Sequence, residues 1–258
     1  EWFNRRAVKN FKRWLKIVGT YSDSIYCISD VVRNDVKYWL DSNLSVDNQP
    51  ELKLLKLGAN FKNYSDIKKG SINFKQEVAL ILRLPFYLLM VGTLEPRKGH
   101  RELLLAFERL WEWGYEIPLV LVGKRGWRTT KLQKQIKSHT QIDNKLFWIE
   151  CVNDSDLDLL YQNCGGVIVP SKGEGYGLPI IEGLQYQKKI LARDLSVFRE
   201  VAQDKACYFI DDNPDALALS IVSWIKVKQT LPITGLITWE QAAIGLIDSL
   251  GLEHPPKN

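Results

Sequence analysis

The stretch Gly166-Val-Ile-Val-Pro-Ser-Lys-Gly-Glu-Gly-Tyr-Gly-Leu-Pro-Ile-Ile-Glu182 joins a short apolar run to a glycine-rich loop and then to a helix. Gly166–Val169 has the composition of a strand buried on both faces, and Pro179 suits the first turn of a helix running to Tyr186. The same pattern recurs in both directions. Phe86–Val91, Leu119–Val122 and Leu146–Cys151 lie upstream as apolar, β-branched or aromatic runs, and Lys189–Ala192 and Cys207–Ile210 lie downstream. Helical patterns fall between them at Arg101–Trp113, Thr130–His139, Ser155–Asn163 and Pro214–Ile225. The first places Leu104, Phe107, Leu110 and Trp111 on one face and stops at Gly114. Six strands alternating with helices predict an α/β fold, a doubly wound parallel sheet with helices on both faces.

The residues before Pro85 differ. Ser24–Ser29 reads as a strand, Asp30–Leu40 as a helix capped by Ser29 or Asp30, and Leu52–Leu57 as an apolar run ending in the turn Gly58-Ala59-Asn60. Residues 62–77 are polar and Lys-rich and read as a loop or an extra turn. Thr238-Trp239-Glu240 opens a final helix through Ile247, after a link containing Pro232 and Gly235. At 100° per residue, Phe3, Ala7, Val8, Phe11, Trp14, Leu15 and Val18 share an arc of roughly 140°. Arg5, Arg6, Lys9, Lys12, Arg13 and Lys16 cluster opposite, with Trp2 among them. Residues 1–18 therefore read either as a surface helix packed on a core or as a basic amphipathic helix lying on anionic lipid.

Composition sets bounds on the function. With 45% hydrophobic and 25% charged residues, the 258-residue chain is neither disordered nor fibrous. A net charge of +5 does not call for nucleic acid, but it suits a polyphosphate ligand or an anionic surface. Cys27, Cys151, Cys164 and Cys207 show no C-x-x-C pairing, which argues against a zinc site or disulfide framework and for a reducing, cytoplasmic compartment. No apolar run reaches the roughly 18–20 residues of a spanning helix. The start at Glu1 lacks both an initiator Met and a signal-peptide pattern, so the chain is expected to be a fragment or a processed product.

In parallel α/β sheets ligands sit at the carboxyl ends of the strands, which directs attention to three loops. Gly92-Thr93-Leu94-Glu95-Pro96-Arg97-Lys98-Gly99 puts two adjacent cations beside a helix N-terminus, either as a diphosphate clamp or as a solvated basic turn. Gly123-Lys124-Arg125-Gly126-Trp127 is a second basic turn, with Lys124 nearest the strand. The loop from Pro170 to Leu178 offers outward amides to an anion or to sugar hydroxyls. Glu174 in that loop and Glu182 one turn into the helix can reach two ends of an extended ligand.

The string Glu174-Gly-Tyr-Gly-Leu-Pro-Ile-Ile-Glu182 resembles the E-x7-E signature of retaining glycosyltransferases of family 4. Gly92–Gly99 resembles the same family's diphosphate motif in a mannosyltransferase-like form. Leu57-Gly58-Ala59-Asn60, Asp154–Tyr161, Val197–Val201 and Trp239–Ala243 are similar to further family segments, so the likeness covers nearly the whole chain. The resemblance implies a GT-B fold of two Rossmann-like domains, with catalysis in the cleft and no metal or other cofactor. The donor would be a nucleotide diphosphate sugar carrying a hexose, with mannose suggested by Glu-Pro-Arg-Lys. The acceptor would be a growing bacterial glycan, free or lipid-linked.

By the same resemblance Glu174 contacts the transferred sugar together with the amides of Gly175, Tyr176 and Gly177, while Leu178 opens the helix that carries Glu182 to the ribose. Arg97 and Lys98, with Gly92, Thr93 and Lys124, meet the diphosphate, and Cys151, Val152 and Asn153 border the base. Retention in the family is explained by front-face attack assisted by the leaving diphosphate. The chain departs from the family at Thr93, where an Arg is frequent, and in being short. Residues 1–50 match only the end of an N-terminal, acceptor-side domain, whose usual catalytic-site His is missing. The implied division is 1–50 as that remnant, 51–230 as the nucleotide-sugar domain, and 231–258 as a link and returning helix. A chain so divided would bind donor without transferring it. Rival readings are a non-catalytic nucleotide-sugar-binding module, a nucleotide-sugar epimerase and a phosphorylase.

Overall fold

A computed structural model describes residues 3, 5–45, 47, 49–58, 75–227 and 237–252. The chain divides into two compact units, Glu1–Asn60 with Leu236–Asn258, and Phe61–Gly235.

The first unit opens with α1 (Arg5–Tyr21), β1 (Ser24–Cys27), α2 (Asp30–Asn43) and β2 (Glu51–Leu54). Ser29 caps α2 by accepting the Val32 amide at 3.1 Å, which resolves the choice between Ser29 and Asp30. β1 and β2 pair in parallel from Ser24↔Glu51 to Cys27↔Leu54, as a βαβ crossover requires. Helix α1 buries Leu15 and Gly19. A Cβ on Gly19 would stand 2.5 Å from the Leu40 side chain, so the close approach of α1 to α2 depends on that glycine. The aromatic side of α1 points elsewhere, leaving Phe11 58% and Trp14 54% exposed.

In the second unit the strands β3 (Leu88–Val91), β4 (Leu119–Val122), β5 (Leu146–Ile149), β6 (Gly166–Val169), β7 (Ile190–Arg193) and β8 (Cys207–Phe209) form one parallel sheet, ordered β5-β4-β3-β6-β7-β8. The helices are α3 (Gln76–Ile81), α4 (His100–Glu112), α5 (Thr130–Lys137), α6 (Asp154–Asn163), α7 (Leu178–Gln185), α8 (Ser196–Ala202) and α9 (Pro214–Lys226). Helices α4 and α9 supply Leu103, Leu104, Phe107, Leu110, Leu217, Ile221 and Trp224 to a core with Leu88, Met90, Leu119 and Leu121 of the sheet. Strand order reverses between β3 and β6, and that switch point is where a doubly wound sheet opens a crevice for ligands. The last helix, α10 (Trp239–Ser249), falls in the first unit. Its Ser249 hydroxyl meets the Tyr26 hydroxyl at 2.8 Å, and Thr238 and Gln241 form a capping box at its start.

The α/β class and the six parallel strands agree with the sequence reading. The boundary differs. The 1–50 and 51–230 division assigns β2 to the second domain, whereas its ladder with β1 keeps it in the first unit, which extends to Asn60. Helix α3 begins at the end of the stretch read as a loop or an extra turn, and Val78 and Ile81 anchor it by burial. Trp2, Ala59, Asn60, residues 61–74 and the link with Pro232 and Gly235 lie outside the described residues.

Candidate functional site

Beyond β3 the chain is tied down by backbone bonds, Gly92 N–H to Val122 O at 2.8 Å and Leu94 N–H to Lys124 O at 2.9 Å. Buried Leu94 anchors the loop, and Pro96–Lys98 then form one 3₁₀ turn. Gly99 follows with φ +78, and a Cβ there would lie 2.4 Å from the Pro170 carbonyl oxygen. Only glycine satisfies both conditions, so the basic turn is pressed against the loop leaving β6. The Lys172 amide donates to Arg97 O at 2.7 Å and locks that contact.

The two loops meet at Glu174. Arg97 Nη1 donates to Glu174 Oε2 at 3.0 Å and to Gly173 O at 2.9 Å, and Lys98 Nζ pairs with Glu174 Oε1. Arg97 Nε also reaches Glu95 Oε2 at 3.1 Å. The Glu174 side chain is 11% exposed. Burial opposes its charge, but Lys98, Arg97 and the Ser171 hydroxyl outweigh burial and hold its pKa below the usual glutamate range. The loop is braced from behind. Lys172 bridges Glu102 at 2.8 Å and Asp212 at 3.5 Å, while Arg193 bonds Pro170 O at 3.1 Å and pairs with Asp212.

Glu182 lies on α7, whose N-cap Gly177 has φ +103 and leaves no room for a Cβ beside the Phe198 ring at 2.8 Å. Tyr161 of α6 donates its hydroxyl to Glu182 Oε2 at 2.5 Å. Burial raises the Glu182 pKa, with Tyr161 and the Lys98 charge opposing and Asp158 adding to the rise. The charge of Lys98 thus acts on both glutamates. Behind Lys98, burial pushes the His100 imidazole down to about 3 against the pull of the Gly92 backbone, so the ring is neutral.

The structure brings Arg97, Lys98 and Glu174 into one cluster, with Glu182 under the same field. Gly92 and Thr93, at the end of β3, and Gly175 and Tyr176 in the glutamate loop are partly buried, and Leu178 is exposed at the start of α7. Lys124 is exposed on the neighbouring loop and enters no ion pair among the described residues. Val152 is partly buried after β5, and the Asn153 side chain accepts the Asp156 amide at 2.7 Å as the α6 cap. Sequence reading missed Glu95, Ser171 and the Tyr161–Glu182 bond. Ser171 adjoins a strand end inside the quoted loop, which was the available signal, whereas a contact from α6 to α7 leaves no trace in spacing. Chemically, the site offers two cations for a diphosphate and two carboxylates as acceptors for hydroxyl groups. Among the described residues no three His, Cys, Asp or Glu side chains are grouped so as to hold a metal ion.

Comparison with known proteins matches residues 73–231 to the family model described as glycosyl transferases group 1. The serotype-specific mannosyltransferase WbdA of Escherichia coli is 33% identical over 263 residues, covering 99% of this chain and 32% of the relative. O-antigen chain mannosyltransferase B of Escherichia coli is 30% identical over 175 residues, covering 64% of this chain and 46% of the relative. The chain thus spans from about a third to about half the length of these relatives. Among solved structures, HepE of Anabaena in complex with UDP and glucose superposes with a TM-score of 0.71 at 14% identity, covering 94% of this chain and 67% of that one. Sucrose-phosphate synthase of Thermosynechococcus elongatus gives 0.69 at 19% identity, covering 96% and 63%. Both likenesses concern the fold.

Proposed function

We propose, from the premise that this chain belongs to the group 1 glycosyl transferases, that its second unit binds the nucleotide diphosphate sugar from which the parent enzyme transfers a hexose with retention of configuration. The observation that carries this reading is the pairing of Arg97 and Lys98 with Glu174 at the switch point of the sheet. The sugar is mannose in this reading, supported by relatives named as mannosyltransferases. The acceptor is a growing glycan, free or lipid-linked, reached from the cytoplasmic side of the membrane. Among the described residues no helix is long and apolar enough to cross a membrane.

Each residue has a task. Arg97 and Lys98 neutralise the diphosphate, and their effect is greatest when its charge grows as the sugar leaves. Glu174 turns to hydroxyls of the transferred sugar, next to the amides of Gly175, Tyr176 and Gly177. Glu182 accepts from the ribose, and Val152 and Asn153 border the base. Gly92, Thr93 and Lys124 complete the phosphate surroundings, and Leu178 starts the helix behind them.

Calorimetric titration with ADP, GDP and UDP tests this reading. Lys98→Ala removes a charge-assisted contact of about 1.5–3 kcal/mol, so the tightest diphosphate should bind about ten- to 150-fold more weakly. Part of that difference should shrink at high salt. Unchanged binding would take the phosphate clamp away from Lys98. Because the cations already supply the counter-charge, binding should also survive excess EDTA. Loss in EDTA with recovery in Mg²⁺ or Mn²⁺ would refute metal independence.

A further inference from the structure

Tyr161 has no task in the donor reading, yet it is held more tightly than packing alone requires. It is fully buried, and its hydroxyl donates a hydrogen bond to Glu182 Oε2 at 2.5 Å. Its ring stacks on Tyr186, with centroids 5.6 Å apart and planes 9° apart, and the Tyr186 hydroxyl donates to Asp158 Oδ1 at 2.8 Å. The backbone beneath is pinned as well. Tyr87 donates to Leu160 O at 2.8 Å, and the Cys164 thiol donates to Tyr161 O at 3.3 Å. An unrestrained glutamate rotates its carboxylate freely about the last torsion, and a ligand that needs one orientation loses affinity in selecting it.

We propose that Tyr161 is a positioning residue that fixes Glu182 Oε2, so that Oε1 is presented to the vicinal hydroxyls of the donor's ribose. The inference rests on the reading of Glu182 as the ribose ligand and adds the group that orients it. An ionised carboxylate only accepts, so the phenol donates to it and the ribose hydroxyls donate to the lone pairs that remain. Helix α6 thereby joins two parts of the donor site. Asn153, read as a border of the base, caps its start, and Tyr161, near its end, aims the ribose acceptor.

The test titrates wild type, Tyr161→Phe, Glu182→Gln and the double variant with ADP, GDP and UDP. The tightest of these is then compared with its 2′,3′-dideoxy form. Tyr161→Phe keeps the stacked ring and removes only the hydroxyl. It should weaken the ribose nucleotide about tenfold, leave the dideoxy form unaffected, and add nothing to Glu182→Gln. Wild-type affinity in Tyr161→Phe, or an equal loss for both nucleotides, overturns the proposal. Tyr186→Phe spares the Tyr161 hydroxyl and should bind as wild type; a loss equal to that of Tyr161→Phe would assign the effect to packing and overturn it too. If Tyr161→Phe does not fold, Glu182→Asp withdraws the carboxylate from the phenol while keeping its charge. It should show the same ribose-dependent loss, and retained affinity there also overturns the proposal. A Glu182→Gln variant that still distinguishes ribose from dideoxyribose refutes the ribose assignment itself. Failure of all three diphosphates to bind wild type refutes the donor reading.

Discussion

Glu174 is paired with the same two cations that a diphosphate would need. In the free protein the carboxylate offsets their charge, so under the proposed donor reading binding would exchange one anion for another and release Glu174 toward the sugar. Glu174→Gln should therefore bind a nucleoside diphosphate several-fold more tightly than wild type, bind the nucleotide sugar no better than the diphosphate, and lose transfer in the parent enzyme. Calorimetry with both ligands checks this, and a weaker diphosphate would disprove the exchange. The two glutamates also titrate apart. Burial raises Glu182 above the usual range, while Lys98, Arg97 and Ser171 outweigh burial and depress Glu174. As pH falls from neutral, Glu182 takes up its proton first, and nucleotide-sugar affinity should fall through that raised pKa; Glu182→Gln should flatten the limb. The stability effects have opposite signs. Protonation of Glu182 favours the fold as pH drops through its raised pKa, whereas the contribution of Glu174 is present above its unfolded pKa and is lost as pH falls toward its depressed one. Much of this site was legible in the chain, because Gly-rich loops and spaced glutamates are local signals. The ion pairs from Arg97 and Lys98 to Glu174 and the bond from Tyr161 to Glu182 were not, since they join residues that only the fold brings together.

At the scale of elements, the tie between the loops after β3 and β6 depends on Gly99. A side chain there must adopt φ +78, at a cost of about 1–2 kcal/mol, and must also displace the Pro170 carbonyl. Gly99→Ala should lower the denaturant midpoint accordingly and weaken diphosphate binding as Arg97 and Lys98 move away from the second loop; full affinity would show that the loops are positioned independently. Helix α1 carries a second expectation. With Phe11 and Trp14 exposed and Lys9, Lys12, Arg13 and Lys16 exposed on the opposite side of the helix, α1 is expected to meet an anionic lipid surface. The chain should sediment with phosphatidylglycerol vesicles and not with phosphatidylcholine. Reversing Lys9 and Arg13 to Glu should weaken binding at least about 30-fold, at roughly 1 kcal/mol for each cation removed. Equal sedimentation with both lipids, or with neither, would leave the stripe to protein packing. The strand centres were readable because Leu119–Val122 and Gly166–Val169 are buried on both faces. Helix α3 was not, for it spans only six residues and its N-cap Lys75 makes no side-chain cap bond.

For the whole molecule, the division into two units decides what each can do alone. The sequence boundary after residue 50 differs from the division into units because β2 resembles the first strand of the next alternation, whereas its ladder with β1 places it in the first unit. Among its described residues the first unit has a two-stranded sheet with helices α1, α2 and α10. The second has a six-stranded sheet and an extensive apolar core. Every residue proposed for the donor lies between Gly92 and Glu182, inside it. Residues 61–235 expressed alone should therefore unfold in one cooperative transition and bind the tightest diphosphate within about twofold of the full chain, because the residues proposed for the donor all lie inside that unit. Calorimetry on that piece beside the full chain, with Lys98→Ala introduced in both, makes the comparison strict. The Lys98 effect should be the same in each. A loss of more than tenfold on truncation, in a piece that still melts cooperatively, would show that residues 1–60 or 236–258 contribute to donor binding, and the donor site would have to be redrawn to include them.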